Sequence, residues 1–309
     1  MEKIVAVDIG GTSIRAALFE RGHSIPLTQK KITTQGEGQS PEARLCALVE
    51  QIWPPHEEIT AISIAAPGNV LPENGVIDFA SNIPGWTHFP LQQYVQDHFH
   101  IPALVGNDAN LAAYGEWKYG AGIGHRNLIY ITISTGIGSG IIIEEKLVTG
   151  VTGGAGELGH ITVEEEGPVC SCGLRGHLEA LASGTAIEKY VEQELLSGRP
   201  SLLSVAHPAS ALEIEFAAKK GDALSIEAYR RAGFYLGRAI ADLLAVLNPS
   251  IVILGGGVSL SGPLIFDPIW ESLRAHAISA KYLEGFSIQP AKLGDQAGLL
   301  GAFALAEDR

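Results

Sequence analysis

The 309-residue sequence is poor in cysteine and in positive charge, and it has no long apolar run. Three cysteines cannot build a disulfide framework, and two of them, Cys170 and Cys172, flank a single residue. A disulfide across that separation would be strained, so the pair points to a reducing compartment and to a metal role. Lysine and arginine total 21 against 34 aspartates and glutamates, a formal charge of −13. Binding nucleic acid needs a basic face to neutralise phosphates, so that partner is not expected. Small substrates are not excluded, because the charge of a site can oppose that of the whole chain. No apolar stretch approaches the ~18 residues of a membrane span. The opening "MEKIVAVDIGG" lacks the cationic start, apolar middle and small-residue cleavage site of a secretory leader. A cytoplasmic protein without membrane contact is expected. Neither a G-x-S-x-G elbow nor an H-E-x-x-H helix occurs, which removes serine hydrolases and zincins.

What is present is apolar and rich in glycine. Hydrophobic residues make up 46% of the chain, enough for a large core, and the length suits about two domains at ~150 residues each. "KIVAVDIGGTSIRAALFE" predicts strand, tight turn and strand, and the same design returns at residues 127–145 in "NLIYITISTGIGSGIIIEE". Either the chain holds two similar halves facing across a cleft, or these are two ordinary hairpins. Between them, "ITAISIAAPGNV" predicts a buried strand, and Ala103 to Val105 a short one running into a helix near Asp108. Ser40-Pro41 predicts a helix start. Ala232, Leu236, Ile240, Leu243 and Leu247 define the apolar face of a long helix that Asn248-Pro249 ends. "SIVILGGG" predicts another strand, and "DQAGLLGAFALAE" a final helix. No low-complexity linker separates the halves, so a border is expected inside a helix near residues 114–118. The expected division is 1–116, completed by 295–309, and 117–294.

Three glycine-rich turns follow strands: Gly10-Gly11-Thr12, Gly136 to Gly140, and Gly255 to Gly257. Glycine lets backbone N–H groups approach a phosphate closely. None fits G-x-x-x-x-G-K-[ST], and Ile141 stands where G-x-G-x-x-G needs its last glycine, so Walker and Rossmann sites are not expected. Asp8, beside the first turn, either stabilises its own turn or holds Mg²⁺ against a phosphate; an acid next to a phosphate needs a cation between them. Asp108 stands where a strand meets a helix, the place at which open α/β sheets bind ligands, but Asp108 or Asn107 could equally cap that helix. Residues 156–181, "GELGHITVEEEGPVCSCGLRGHLEAL", gather Glu157, His160, Cys170, Cys172, His177 and Glu179. Their chemistry suits both a borderline metal and a small polar ligand.

Taken together, "DIGGT", "PGNV", "SNIPGW", "GNDAN", "STGIGSGI", "GAGELGH", "CSCGLRG", "LEALASG", "ILGGG" and "DQAGLLGA" make the chain resemble the ROK family (repressors, open reading frames and kinases of sugars). That family lies within the actin-like ATPase superfamily, and the likeness covers essentially the whole length. It implies a two-domain α/β fold of the actin-like, ribonuclease H-like type, with a cleft between the domains. It also implies ATP-dependent phosphorylation of a hexose, glucose before an N-acylhexosamine or fructose. Gly10, Gly11, Thr12, Thr135 and Gly136 would hold the ATP phosphates, Gly255 and Gly256 would border the adenosine, and Asp8 would orient Mg²⁺. Gly68, Asn82, Asn107, Glu157, His160 and Glu179 would contact the sugar, and Asp108 would be the general base on its 6-hydroxyl. No arginine stands out as one that would reach the transferred phosphoryl group.

The family's repressors carry a helix-turn-helix segment before "DIGGT". Here seven residues precede Asp8, so a sugar-responsive regulator is the lesser expectation. Polyphosphate as donor lacks a basic track. A homodimer is implied by resemblance alone. The family's usual zinc set is the histidine of G-H with three cysteines of C-x-C-G-x-x-G-C. Here His177 replaces the last cysteine, so the metal is either lost or held by His160, Cys170, Cys172 and His177. Imidazole is an ordinary zinc ligand, which favours a structural Cys₂His₂ zinc.

Overall fold

The computed structural model describes residues 2–36, 38–55, 58–80 and 82–309. The opening segment forms β1 (Lys3–Ile9), a tight turn and β2 (Ser13–Glu20), followed by β3 (His23–Thr33). Helix α1 (Pro41–Glu50) starts at the expected place, with Ser40 as its N-cap. Next come β4 (Ile59–Ala66), the short strands β5 (Asn69–Val70), β6 (Ile77–Phe79) and β7 (Thr87–Phe89), and helix α2 (Leu91–Phe99). β8 (Ala103–Asn107) then runs directly into α3 (Asp108–Tyr119). β1 and β2 pair antiparallel, whereas β1, β4 and β8 are parallel, giving a mixed sheet in the order β3-β2-β1-β4-β8.

The second glycine turn joins β9 (Leu128–Ile133) to β10 (Ile137–Ile143), with β11 (Lys146–Leu147) after it. Helices α4 (Glu179–Ala182), α5 (Gly184–Leu196), α6 (Ala211–Lys219) and α7 (Ala223–Leu247) lead to β12 (Ile251–Gly255). Helix α8 (Pro263–His276), β13 (Ser287–Pro290) and α9 (Ala297–Glu307) complete the chain. The second sheet has the order β11-β10-β9-β12-β13. Each five-stranded sheet therefore places its own strands third, second, first, fourth and fifth. The two hairpins are equivalent parts of a repeated pattern, not unrelated turns. In α7 the inner stripe is Ala232, Leu236, Ile240 and Leu244. Leu243 and Leu247, near the end of the helix, are only half-buried. Asn248 ends the helix in the left-handed conformation, φ 45°, before Pro249. Among the described residues, no helix is long and apolar enough to cross a membrane.

The chain forms two compact units, Met1–Tyr130 with Gly140–Gly156 and Ala291–Arg309, and Ile131–Ser139 with Glu157–Pro290. Helix α3, where a border was expected at residues 114–118, belongs whole to the first unit together with α9. Strand β1 is buried on both faces. Val5, Val7 and Ile9 pack with Leu45, Leu48 and Val49 of α1, and the alternate residues Ile4 and Ala6 point the other way, towards α9. Phe19 of β2 stacks on Phe303 of α9 at 4.4 Å.

Glycines set how closely α3 and α9 approach. A Cβ on Gly301 would overlap the Leu111 carbonyl, and one on Gly115 would meet the backbone of Ala297 and Gly301. Gly301→Ala is expected to lower the stability of this unit by about 1–3 kcal/mol, the usual cost of forcing an extra carbon into a packed contact. A denaturant midpoint equal to that of the wild type would show that the helices separate without cost.

The same contact carries two phenols on carboxylates. Tyr114 donates to Asp308 and Tyr119 to Glu307. Burial first, then the neighbouring carboxylate, pushes both phenols above their ordinary value near 10. A group raised on folding stabilises fully below its unfolded value and loses that contribution as pH rises through the folded one. Stability should therefore hold up to about pH 10, the unfolded tyrosine value, and fall above it. Tyr119→Phe should flatten that alkaline loss in chemical unfolding curves, and an unchanged slope would remove Tyr119 from the explanation.

Candidate active site

The carboxyl ends of β1, β4 and β8 open on the same edge of the first sheet, because the three strands are parallel. That edge is where ligands bind in open α/β sheets. Asp8 is the penultimate residue of β1 and leads into Gly10-Gly11-Thr12, whose turn is closed by Gly10 N donating to Ser13 O at 2.8 Å. Thr34 braces it by donating to the Gly10 carbonyl. A Cβ on Gly11 would lie 3.3 Å from the Asn82 Cβ, so Asn82 sits against this turn. Asn82 is held there by its loop. Ile83 and Trp86 are fully buried, and Trp86 Nε1 donates to Glu42 of α1 at 3.0 Å.

Beyond β4, Gly68 has φ +90°, and a Cβ on it would collide with the Phe79 carbonyl; only glycine fits this turn. The Gly68 carbonyl accepts from Asn107 Nδ2 at 3.0 Å. Asn107 Oδ1 in turn accepts the Asn110 N–H at 3.0 Å, so Asn107 is the N-cap of α3. Asp108 is left as the first helical residue, its Oδ1 accepting the Ala109 N–H at 2.7 Å. Of the two capping candidates, the amide takes the cap and the carboxylate stands one residue inside.

Asp8 has a partner that was not expected. Hairpin register sets Arg15 opposite it, and Arg15 donates to Asp8 Oδ2 at 2.7 Å. Asp295 lies 3.9 Å from the same guanidinium. Burial pushes the Asp8 carboxyl above its ordinary value, and Arg15 offsets this only in part. The other oxygen, Oδ1, lies over Gly298, where a Cβ would come within 3.0 Å.

The second unit gathers the remaining candidates. Thr135 and Gly136 form the β9–β10 turn, with Ser134 N donating to Gly136 O at 2.9 Å and Gly184 N to Ser134 O at 2.7 Å. Gly255 ends β12, and Gly256, at φ +80°, presses against the Ile133 backbone where a Cβ would collide. Glu179 lies across the Thr135-Gly136 turn. Its Oε2 accepts the Ile137 N–H at 3.0 Å, and a Cβ on Gly136 would strike that oxygen. Its Oε1 accepts from Ser171 Oγ at 2.9 Å.

His160, Cys170, Cys172 and His177 converge, each offering one ligand atom within 4.8 Å of the others. Cys170 Sγ is 3.6 Å from His160 Nδ1, and Cys172 Sγ is 3.2 Å from His177 Nδ1. Tetrahedral zinc with bonds of about 2.0–2.3 Å sets neighbouring ligands roughly 3.3–3.8 Å apart, so the residues fit that ion. The cysteines are free thiols, not a disulfide. With Nδ1 turned inward, His160 directs Nε2 outward, 4.0 Å from Glu157 Oε2.

Sequence patterns thus located the turns, the helix start and the four-residue cluster. They missed Arg15, which the hairpin register would have placed opposite Asp8, and Ser171, which carries no pattern of its own.

The ROK family profile matches residues 4–309. The glucokinase of Streptomyces coelicolor is 36% identical, with 98% of this chain and 97% of that protein covered. The glucokinase of Thermotoga maritima is 33% identical, covering 99% and 98%. A ROK glucokinase of Streptomyces griseus, solved with glucose and AMPPNP, superposes with a TM-score of 0.82 at 36% identity, covering 99% of this chain and all of that one. The α/β class and the actin-like fold agree with these neighbours. Both hairpins, the Asp108 helix start and the histidine–cysteine cluster occur in one continuous match, and the chain belongs to the ROK family.

Proposed function

We propose that the protein is an ATP-dependent hexose kinase that transfers the γ-phosphoryl group of ATP to the 6-hydroxyl of D-glucose, with Asp108 as general base. The observation that carries this is the division of labour at the start of α3. Asn107 supplies the N-cap of α3, and Asp108 stands beside it as the first helical residue at the carboxyl edge of parallel strands. Relatives named glucokinase at 33–36% identity support glucose as the sugar.

Phosphoryl transfer needs positioning, charge neutralisation and one acceptor for the proton of the attacking hydroxyl. Asp108 accepts that proton as the 6-oxygen attacks and ADP leaves. The backbone of Gly10, Gly11 and Thr12, with Thr135 and Gly136, cradles the phosphates, and Gly255 and Gly256 border the adenosine. Gly68, Asn82, Asn107, Glu157, His160 and Glu179 position the sugar hydroxyls. Asn107 does so as a cap already bonded to Gly68, which fixes its orientation. Asp8 has one oxygen on Arg15 and Oδ1 remaining, which suits a cation held mainly by phosphates and water. Mg²⁺, when bound, neutralises charge on the transferring phosphates. His160, Cys170, Cys172 and His177 hold a structural zinc. A cytoplasmic homodimer that binds no nucleic acid completes the proposal.

Purified protein given ATP, Mg²⁺ and glucose should release ADP in a coupled assay, and a hexose panel should rank glucose above N-acetylmannosamine and fructose. Protein that binds ATP and glucose yet releases no ADP would show that it is no kinase.

A further inference from the structure

We propose that Ser171 and Glu179 are positioning residues that join the histidine–cysteine cluster to the phosphate-binding turn, so that the cluster sets nucleotide affinity as well as sugar geometry. This rests on the assignment of Thr135-Gly136 to the ATP phosphates. Ser171 lies between Cys170 and Cys172, so any ion holding those two sulfurs also fixes where its hydroxyl points. That hydroxyl donates to Glu179 Oε1 at 2.9 Å. The other oxygen of the same carboxylate accepts the Ile137 N–H at 3.0 Å. Gly136 leaves no spare room above it, because a Cβ there would collide with Oε2. The carboxylate is thus clamped at both ends, by a loop hydroxyl on one side and by the turn's own backbone on the other.

The consequence is chemical as well as geometric. A turn that is to receive phosphate must keep its N–H groups aimed outward. Glu179 takes the Ile137 N–H, which follows Gly136, and so fixes the orientation of the peptide planes before it. Its negative charge sits beneath the turn, where it would repel a phosphate if it could swing round. Ser171, with Cys170 Sγ 3.8 Å from the same atom, holds the second oxygen and opposes that rotation. Ser171 is exposed and is not a metal ligand, so its removal should leave the metal in place.

The test is AMPPNP binding to sugar-free, zinc-loaded protein by titration calorimetry, with zinc content measured on the same samples. Ser171→Ala should weaken AMPPNP about 3- to 10-fold, because it removes one hydrogen bond that acts through Glu179, and Glu179→Ala about 10- to 100-fold, because it removes the carboxylate with both of its hydrogen bonds. Zinc content should stay at that of the wild type in both. Ser171→Thr keeps the hydroxyl and should restore affinity, which a purely steric role for this position would not produce. Wild-type AMPPNP affinity in both alanine variants overturns the proposal, as does weakening that occurs only where zinc is lost. If the wild type itself binds no AMPPNP, the proposal fails together with the kinase assignment; if it binds and the variants match it, the coupling alone fails.

Discussion

Asp108→Asn is expected to lower turnover by about 10²–10⁴-fold, the contribution of a positioned general base, while glucose affinity and thermal stability stay near those of the wild type. The separation of these effects follows from the structure. The α3 cap is Asn107, whose Oδ1 accepts the Asn110 N–H, so the substitution leaves the N-cap itself in place. The contact Asp108 makes to Ala109 N survives in the amide, which keeps an acceptor oxygen. What the amide cannot do is take a proton from the sugar. Steady-state rates, glucose binding and melting temperature measured on one preparation check all three statements. Turnover near that of the wild type would return Asp108 to an ordinary place in the first helical turn, and a large loss of stability would make it structural.

Elemental analysis is expected to find about one zinc per chain, the stoichiometry of a single four-ligand site. Cys172→Ser should lose the metal and weaken glucose by about 10- to 100-fold, the scale seen when groups that orient a metal site are disturbed. The zinc would perform no Lewis-acid step here. Its effect would run through His160, which faces Cys170 with Nδ1 and Glu157 with Nε2. A metal on Nδ1 leaves the proton on Nε2, so the ring becomes a donor of fixed direction towards the sugar. Without it, the ring can rotate and change tautomer. Burial holds the Cys170 thiol above its ordinary value, so this thiol keeps its proton unless a metal displaces it. Metal-free protein with undiminished glucose affinity would defeat this prediction.

The replacement of the family's third cysteine by His177 is where sequence and geometry bear on each other most directly. Read linearly, the change left open whether the site survives. In the structure His177 is buried and places Nδ1 3.2 Å from Cys172 Sγ, at the position a ligand needs. That placement is compatible with a zinc ligand, and the same contact also serves as a hydrogen bond between thiol and ring.

The sequence by itself determined the elements that depend on neighbours a few residues away. Both hairpins, the Ser40 helix start, the Asn248 stop and the burial of "KIVAVDI" follow from side-chain period, turn glycines and caps, all local quantities. The division of the chain, the partner of Asp8 and the office of Glu179 were decided by tertiary structure. The absence of a linker predicts a border inside the helix at residues 114–118, and no local pattern shows that Gly115 will meet Gly301, a contact formed only when α9 returns to cover the first sheet. Likewise Glu179 has chemistry suited to a sugar, and each of its oxygens also accepts from a group 8 or 42 positions away, which no local pattern shows. Such pairings are fixed by which buried polar groups must find partners once the core has closed, and that closure is a property of the folded chain, not of any window of its sequence.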